Sequence, residues 1–219
     1  MAETISEETL SLAASLRRSP AARLAKAFAV AGTEGERGVR LREIPFLTQL
    51  GIRATPGTPA AAAVEAALGA PLPAIHGSTT TGGGYSVLWI GPDEFLAVGD
   101  EGSADLDRGP AETARVAATL GEAGSRLPGA VVDLSANRTT FELSGPAARL
   151  VLEKGVSFDL HPRSFRAGQA IVTVLDHVPV LVWKTEEETF RVLPRASFAD
   201  HVGRWLLDAM REFSAPEVH

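Results

Sequence analysis

The segment VVDLSANRTTFELSGPAARLVLEKG, residues 131–155, decides how this chain folds. Val131 and Val132 begin a short apolar strand that ends at Asp133 and Ser135, and Arg138 precedes a second strand, TTFELSG (139–145). Gly145-Pro146 then opens a helix, because proline at a first helical position lacks an N–H that would have no partner there anyway. Ala148, Val151 and Leu152 are spaced for one apolar face, and Gly155 stops the helix. A strand running directly into a short helix is the unit to look for elsewhere.

It recurs upstream. FLTQLGIR (46–53) leads to Thr58-Pro59, which opens the alanine-rich run PAAAAVEAAL with threonine as N-cap, and Gly69 closes it. Each helix is followed by a hairpin in which an apolar run ends at tryptophan, an acidic turn intervenes and a second strand begins at phenylalanine. The turns are Gly91-Pro92-Asp93-Glu94 after Trp89 and Thr185-Glu186-Glu187-Glu188 after Trp183, and the second strands begin near Phe95 and Phe190. A helix then closes each half. The first spans Pro110 to Leu120. The second starts in capping-box fashion at Ser197 and Asp200, with Phe198, Val202, Trp205, Leu206 and Ala209 on one face.

This order predicts an α+β fold: a duplicated strand-helix-hairpin-helix unit packed into one pseudo-symmetric body, each unit presenting one apolar sheet face to the other. The expected layout is an N-terminal arm (1–38, partly mobile), a single domain (39–212) made of halves 39–125 and 126–212, and a C-terminal tail (213–219). The ends, Met1 to about Arg18 and Ser214 to His219, read as mobile.

Composition narrows the function. The chain has 219 residues, 21 Lys+Arg against 27 Asp+Glu, and no cysteine. The net charge of −6 argues against nucleic acid as a partner. Without cysteine there is no disulfide framework, thiolate zinc site, iron–sulfur ligation or cysteine nucleophile. The first residues place acids before any apolar run, the reverse of a secretory signal, so a cytoplasmic location is expected. The most apolar stretch, Ile171 to Trp183, is too short to span a bilayer and is split by Asp176, His177 and Pro179, so no membrane partner is expected. Asn137-Arg138-Thr139 matches the N-glycosylation pattern by accident on that reading.

Motif by motif, little chemistry emerges. STTTGGGY (78–85) lacks the spacing of a phosphate-binding loop and reads as a flexible loop leading into a strand. His76, His161, His177, His201 and His219 include no pair one helical turn apart, so no metal site is expected. Asp176-His177 reads as a turn, and as strand neighbours the two side chains would point to opposite faces. Ser144-Gly145-Pro146 is a helix start rather than a nucleophile elbow. Asp133 and Arg138 lie beside a turn where side chains can reach a ligand or partner, but an Asp or Ser side chain holding its own backbone explains the segment better.

The pattern D-L-S-x-x-R-T (133–139) followed by L-S-G-P-x-A-x-x-x-L (143–152) resembles the folate-binding fold of the glycine-cleavage T-protein, or aminomethyltransferase, and its relatives. With VRLREIPFLTQLGIR (39–53), LWIGPDEFLAV (88–98), FDLHPRSF (158–165) and RASFADHVGRWLLDA (195–209), the chain is similar to the gamma-subunit family of heterotetrameric sarcosine oxidase, from about Val39 to Ala209. The resemblance implies a structural, non-catalytic subunit with no cofactor of its own. Its partners would be the alpha, beta and delta subunits, with FAD, FMN, NAD and tetrahydrofolate in the large subunits and zinc in the delta subunit. The alternative is a free-standing folate-binding or aminomethyltransferase-like one-carbon protein. Against it, the glycine-rich segment that aminomethyltransferases carry ahead of the strand reading PVLVW here is replaced by LDHV, with Asp176 as the only nearby acid. Because arginine and aromatic side chains are enriched at interface cores, Arg42, Phe46, Trp89, Arg138 and Trp183 are candidate partner-interface residues, joined by Asp133 for its place beside the turn, with no catalytic, cofactor or metal residue assigned.

Overall fold

The computed structural model describes residues 16–103, 108–122 and 126–214. The strands are β1 (Arg40–Ile44), β2 (Gln49–Arg53), β3 (Thr79–Gly82), β4 (Tyr85–Gly91), β5 (Glu94–Gly99), β6 (Ala130–Asp133), β7 (Thr140–Ser144), β8 (Gln169–Leu175), β9 (Val178–Glu186) and β10 (Thr189–Pro194). The helices are α1 (Ala25–Ala31), α2 (Pro59–Leu68), α3 (Arg108–Ala118), α4 (Ala148–Glu153) and α5 (Ala199–Ser214).

Two five-stranded antiparallel sheets result, in the orders β1-β7-β10-β9-β8 and β6-β2-β5-β4-β3. Position by position, the two orders match strands that occupy the same place in the two halves of the chain. The leading strands are exchanged: β1 pairs with β7 of the second half, Arg40 opposite Ser144 through Ile44 opposite Thr140, and β6 pairs with β2 of the first, Leu50 opposite Asp133. Each half therefore completes the other half's sheet, which ties the two into one body.

Each sheet is covered by helices on one face and meets the other sheet on the opposite face. One helix-side core joins Phe141, Leu143, Val180 and Val182 to Leu24, Phe28, Val151 and Leu206. The other joins Leu50, Ile52, Phe95 and Ala97 to Val64, Leu68, Val116 and Leu120. Between the sheets lie Ile44, Leu88, Leu96, Val98, Leu181, Trp183 and Leu193. The expectation of one apolar face per unit is thus corrected. β9, β4 and β5 are apolar on both faces, as suits strands covered on both sides, whereas β7 turns Thr140, Glu142 and Ser144 away from its helices; the arrangement has four layers.

Local signals set the element ends. The Thr58 Oγ1 accepts from the Ala61 N–H at 3.3 Å, Pro59 follows, and Gly69 stops α2 with φ 69°. At Gly145, φ is 115° and a Cβ would lie 2.6 Å from the Gly38 carbonyl oxygen, so glycine alone fits where the strand turns into α4.

Two expectations change. The glycine run is not a flexible loop: it forms a hairpin, β3 and β4 joined through Gly83-Gly84 at φ 54° and 79°. A Cβ on Gly83 would stand 1.9 Å from the Leu68 carbonyl oxygen, so the glycines let the hairpin lie against the end of α2. At the last helix, Asp200 does not cap. Its Oδ2 accepts from Arg204 Nε at 2.8 Å, and the turn Ala196–Phe198 that precedes α5 carries no side-chain cap. Within the expected N-terminal arm, Ala21, Leu24 and Phe28 are buried, and Phe28 meets Phe141 edge-on at 5.7 Å. Burying one such phenylalanine contributes roughly 1.5–3 kcal/mol, enough to anchor a seven-residue helix. The terminal stretches read as mobile fall almost wholly outside the described residues.

Candidate functional site

Arg42 is the centre of the densest polar cluster. Register places Arg42, Glu142, Arg191 and Trp183 side by side across β1, β7, β10 and β9, on the face turned to the other sheet. Arg42 Nε donates to Glu142 Oε1 at 2.8 Å, and its two terminal nitrogens donate to both oxygens of Glu101 at 3.0 and 2.8 Å. Arg191 Nε donates to the second oxygen of Glu142 at 3.1 Å and its Nη2 to Glu101 at 3.1 Å, while its guanidinium stands 5.3 Å over the Trp183 ring. Glu101 follows β5, a strand of the other sheet, so the cluster pins the sheets together. Its two cations and two anions cancel. The hydrogen bond from Arg42 holds the Glu101 carboxyl below its usual range, and Glu101 and Glu142 raise the Arg42 guanidinium further above its own.

The other candidates lie elsewhere. Trp183 is 7% exposed and belongs to the layer between the sheets. Trp89 is half-buried against the helix-side core of the second sheet, edge-on to His76 at 4.7 Å. Phe46 sits in the β1–β2 connection at φ 64°, with the Arg17 guanidinium 3.9 Å from its ring centre. Asp133 Oδ1 accepts from the Ser135 backbone N–H at 2.9 Å and from its hydroxyl at 2.6 Å, the self-bonded turn anticipated from sequence. Gly109 in α3 backs onto that turn, where a Cβ would come within 2.6 Å of Ser135 Oγ. Arg138 Nη1 donates to the Leu193 carbonyl at 3.0 Å, and burial, then Arg195, pushes its pKa below the usual arginine value. Arg42 and Trp183 share one row, Asp133 and Arg138 flank the crossing between the sheets, and Phe46 and Trp89 stand apart.

The Asp176-His177 reading is corrected in one respect. The pair does form the turn between β8 and β9, but Asp176 has φ 56°, and this left-handed backbone brings its Oδ1 to 3.4 Å from His177 Nε2. Strand alternation does not apply inside a turn.

Sequence reasoning missed the partners of Arg42, because Glu142 is 100 positions away and Glu101 is 59. A charge in the middle of TTFELSG was the available signal. It also missed Lys184, which is 1% exposed and donates to Glu187 at 2.9 Å and to the Phe165 carbonyl at 3.4 Å. Tyr85 donates to Glu112 at 2.8 Å, and burial, aided by that carboxylate, pushes its pKa up to about 12. Among the described residues no three His, Asp or Glu side chains are placed to hold a metal ion, and no helix is long and apolar enough to cross a membrane.

The strand order, the exchanged leading strands and the covering helices define a class of protein. The chain superposes on the glycine cleavage system aminomethyltransferase T of Bartonella henselae with a TM-score of 0.60, over 88% of this chain and 57% of that one, at 15% identity, so it has that α+β fold. A closer relationship follows. Residues 53–212 match the family model described as sarcosine oxidase, gamma subunit family. Sarcosine oxidase subunit gamma of Corynebacterium sp. (strain U-96) is 50% identical over 98% of this chain and 100% of its own length, and the subunit of Arthrobacter sp. is likewise 50% identical over the same shares. A chain of the heterotetrameric sarcosine oxidase from Corynebacterium sp. U-96, solved with pyrrole 2-carboxylate, superposes with a TM-score of 0.84 at 51% identity, covering 93% of this chain and 100% of that one. The chain belongs to the sarcosine oxidase gamma subunit family.

Proposed function

We propose that this chain is the small structural subunit of a cytoplasmic, heterotetrameric sarcosine oxidase. That complex oxidatively demethylates sarcosine to glycine, forming peroxide and, with tetrahydrofolate, methylene-tetrahydrofolate. The chain serves assembly and leaves the chemistry to its alpha, beta and delta partners, with FAD, FMN, NAD and tetrahydrofolate in the large subunits and zinc in the delta subunit. One observation carries this reading: half of the residues are identical to a gamma subunit across 98% of the chain, and the same fold recurs in a chain of a heterotetrameric complex.

The charge cluster supports it. A general acid working near neutral pH needs a carboxyl pushed upward and within reach of substrate. Glu101 is pushed downward by Arg42, and its oxygens are already engaged by two arginines. Such a group holds sheets together. The test is co-expression with the alpha, beta and delta subunits, with and without this chain. Loss of assembled complex on omission, and no sarcosine-dependent peroxide from the isolated chain, are expected. Turnover by the isolated chain would overturn the reading.

The aminomethyltransferase-like fold favours a second reading, a folate-binding one-carbon protein. Calorimetric titration of the isolated chain with tetrahydrofolate separates the two: the structural reading expects no binding heat.

A further inference from the structure

The second sheet carries an apolar groove of about 320 Å³, lined by Gly51, Arg53, Ile90, Glu94, Val132 and Leu134 among others. It opens on the face that elsewhere packs against the first sheet. Gly51 forms its floor, since a Cβ there would come within 2.6 Å of Leu134 Cδ1. Val132, in the edge strand β6, is 53% exposed although its β-branched side chain points the same way as the inter-sheet core residues Leu88 and Leu96. The rim is charged and unbalanced. Arg53 Nε donates to Asp93 at 3.1 Å and its Nη1 stands 3.8 Å from Glu94, so two carboxylates face one guanidinium.

We propose that this groove receives a segment of a partner subunit that combines an apolar anchor side chain with a basic flank. The apolar floor takes the anchor, and the excess carboxylate on the rim pairs with the cation, which gives orientation as well as contact. The apolar lining with carboxylates at its rim suits an apolar side chain beside a cation, whereas the matching positions of the first sheet carry the charges of the Arg42 cluster. A second copy of this chain fits less well, because it would bring a rim with the same excess of carboxylate and no basic flank to balance it. The inference rests on the assembly role proposed above.

The test uses the co-expressed complex and the full chain. Wild-type chain retained on its partners confirms the assembly role by itself. Val132→Glu, at an exposed position, should fold with an unchanged melting temperature yet be retained about tenfold less. Glu94→Lys, which reverses the rim charge, should also weaken retention. Hydrogen exchange of residues 130–134 should slow on assembly relative to the free chain. Retention of Val132→Glu at wild-type stoichiometry overturns the proposal, as does unchanged exchange in that segment. A concentration-dependent dimer of the free chain that Val132→Glu abolishes also overturns it, by assigning the groove to a second copy.

Discussion

On the face each sheet turns to the other, matching rows of side chains differ in every member. Across β1, β7, β10 and β9 the row reads Arg42, Glu142, Arg191 and Trp183; across β6, β2, β5 and β4 it reads Val132, Gly51, Leu96 and Leu88. The backbone pairing is the same. The charged row is self-sufficient, because alternating charges on neighbouring strands meet directly and Glu101 arrives from the other sheet to balance the second arginine. The apolar row has no such closure, and its edge member Val132 stays open. One architecture thus ties one end with internal ion pairs and leaves the other end for apolar contact. A polar end excludes unspecific association, and an apolar end invites it only where the rim charges allow.

The contrast can be broken by substitution. Trp183→Ala removes the buried anchor of the charged row and the ring under Arg191; a loss of about 4 kcal/mol in denaturant unfolding is expected, and a loss below about 1 kcal/mol would show that the row does not stabilise the sheet contact. Glu142→Ala leaves Arg42 and Arg191 facing each other with only Glu101 between them. Because the Arg191 and Glu142 side chains are just 15% and 13% exposed, the cost should reach about 2–3 kcal/mol, and Glu142→Gln should restore part of it.

The helix side of the second sheet offers a titration. Tyr85 is the only tyrosine in the chain, so absorbance near 295 nm reads it alone. Its folded pKa of about 12 exceeds the ordinary value of 10.0, so the native state keeps a proton that the unfolded chain gives up. The stabilisation is complete below the ordinary value and is lost as pH rises from there through about 12. Phe in place of Tyr85 should flatten that alkaline limb. The smallest effect belongs to the apolar row: Val132→Ala should shift the stability of the free chain by less than about 0.5 kcal/mol, since the side chain is exposed there. A larger shift would mean that Val132 works within the chain rather than for a partner.

Several features were legible because their causes lie within a few residues. Thr58, Pro59 and Gly69 bound a helix through N–H and φ requirements that no distant residue alters. The turn at Asp133 and Ser135 needs only its own backbone. The Trp89 and Trp183 hairpins follow from apolar runs interrupted by acidic turns. Where the reading went astray, a competing contact had decided. Gly83 was a hairpin turn rather than a loop because α2 ends against it, and Asp200 found Arg204 instead of an N-cap role. Of the candidate interface residues, Trp183 is enclosed between the sheets, while Arg42 is engaged by carboxylates from two sheets.

The sequence by itself determined the kinds of elements, most of their ends and the absence of thiol chemistry, since composition, capping and periodicity are local and additive, and its ordered motifs carried the family resemblance. Tertiary structure alone decided the exchange of β1 and β6 between sheets, the pairing of Arg42 with a carboxylate 100 positions away, and which strand face stayed open at Val132. Strand pairing is a choice among many registers of similar local energy, and only the simultaneous burial of two sheet faces under helices and against each other selects one.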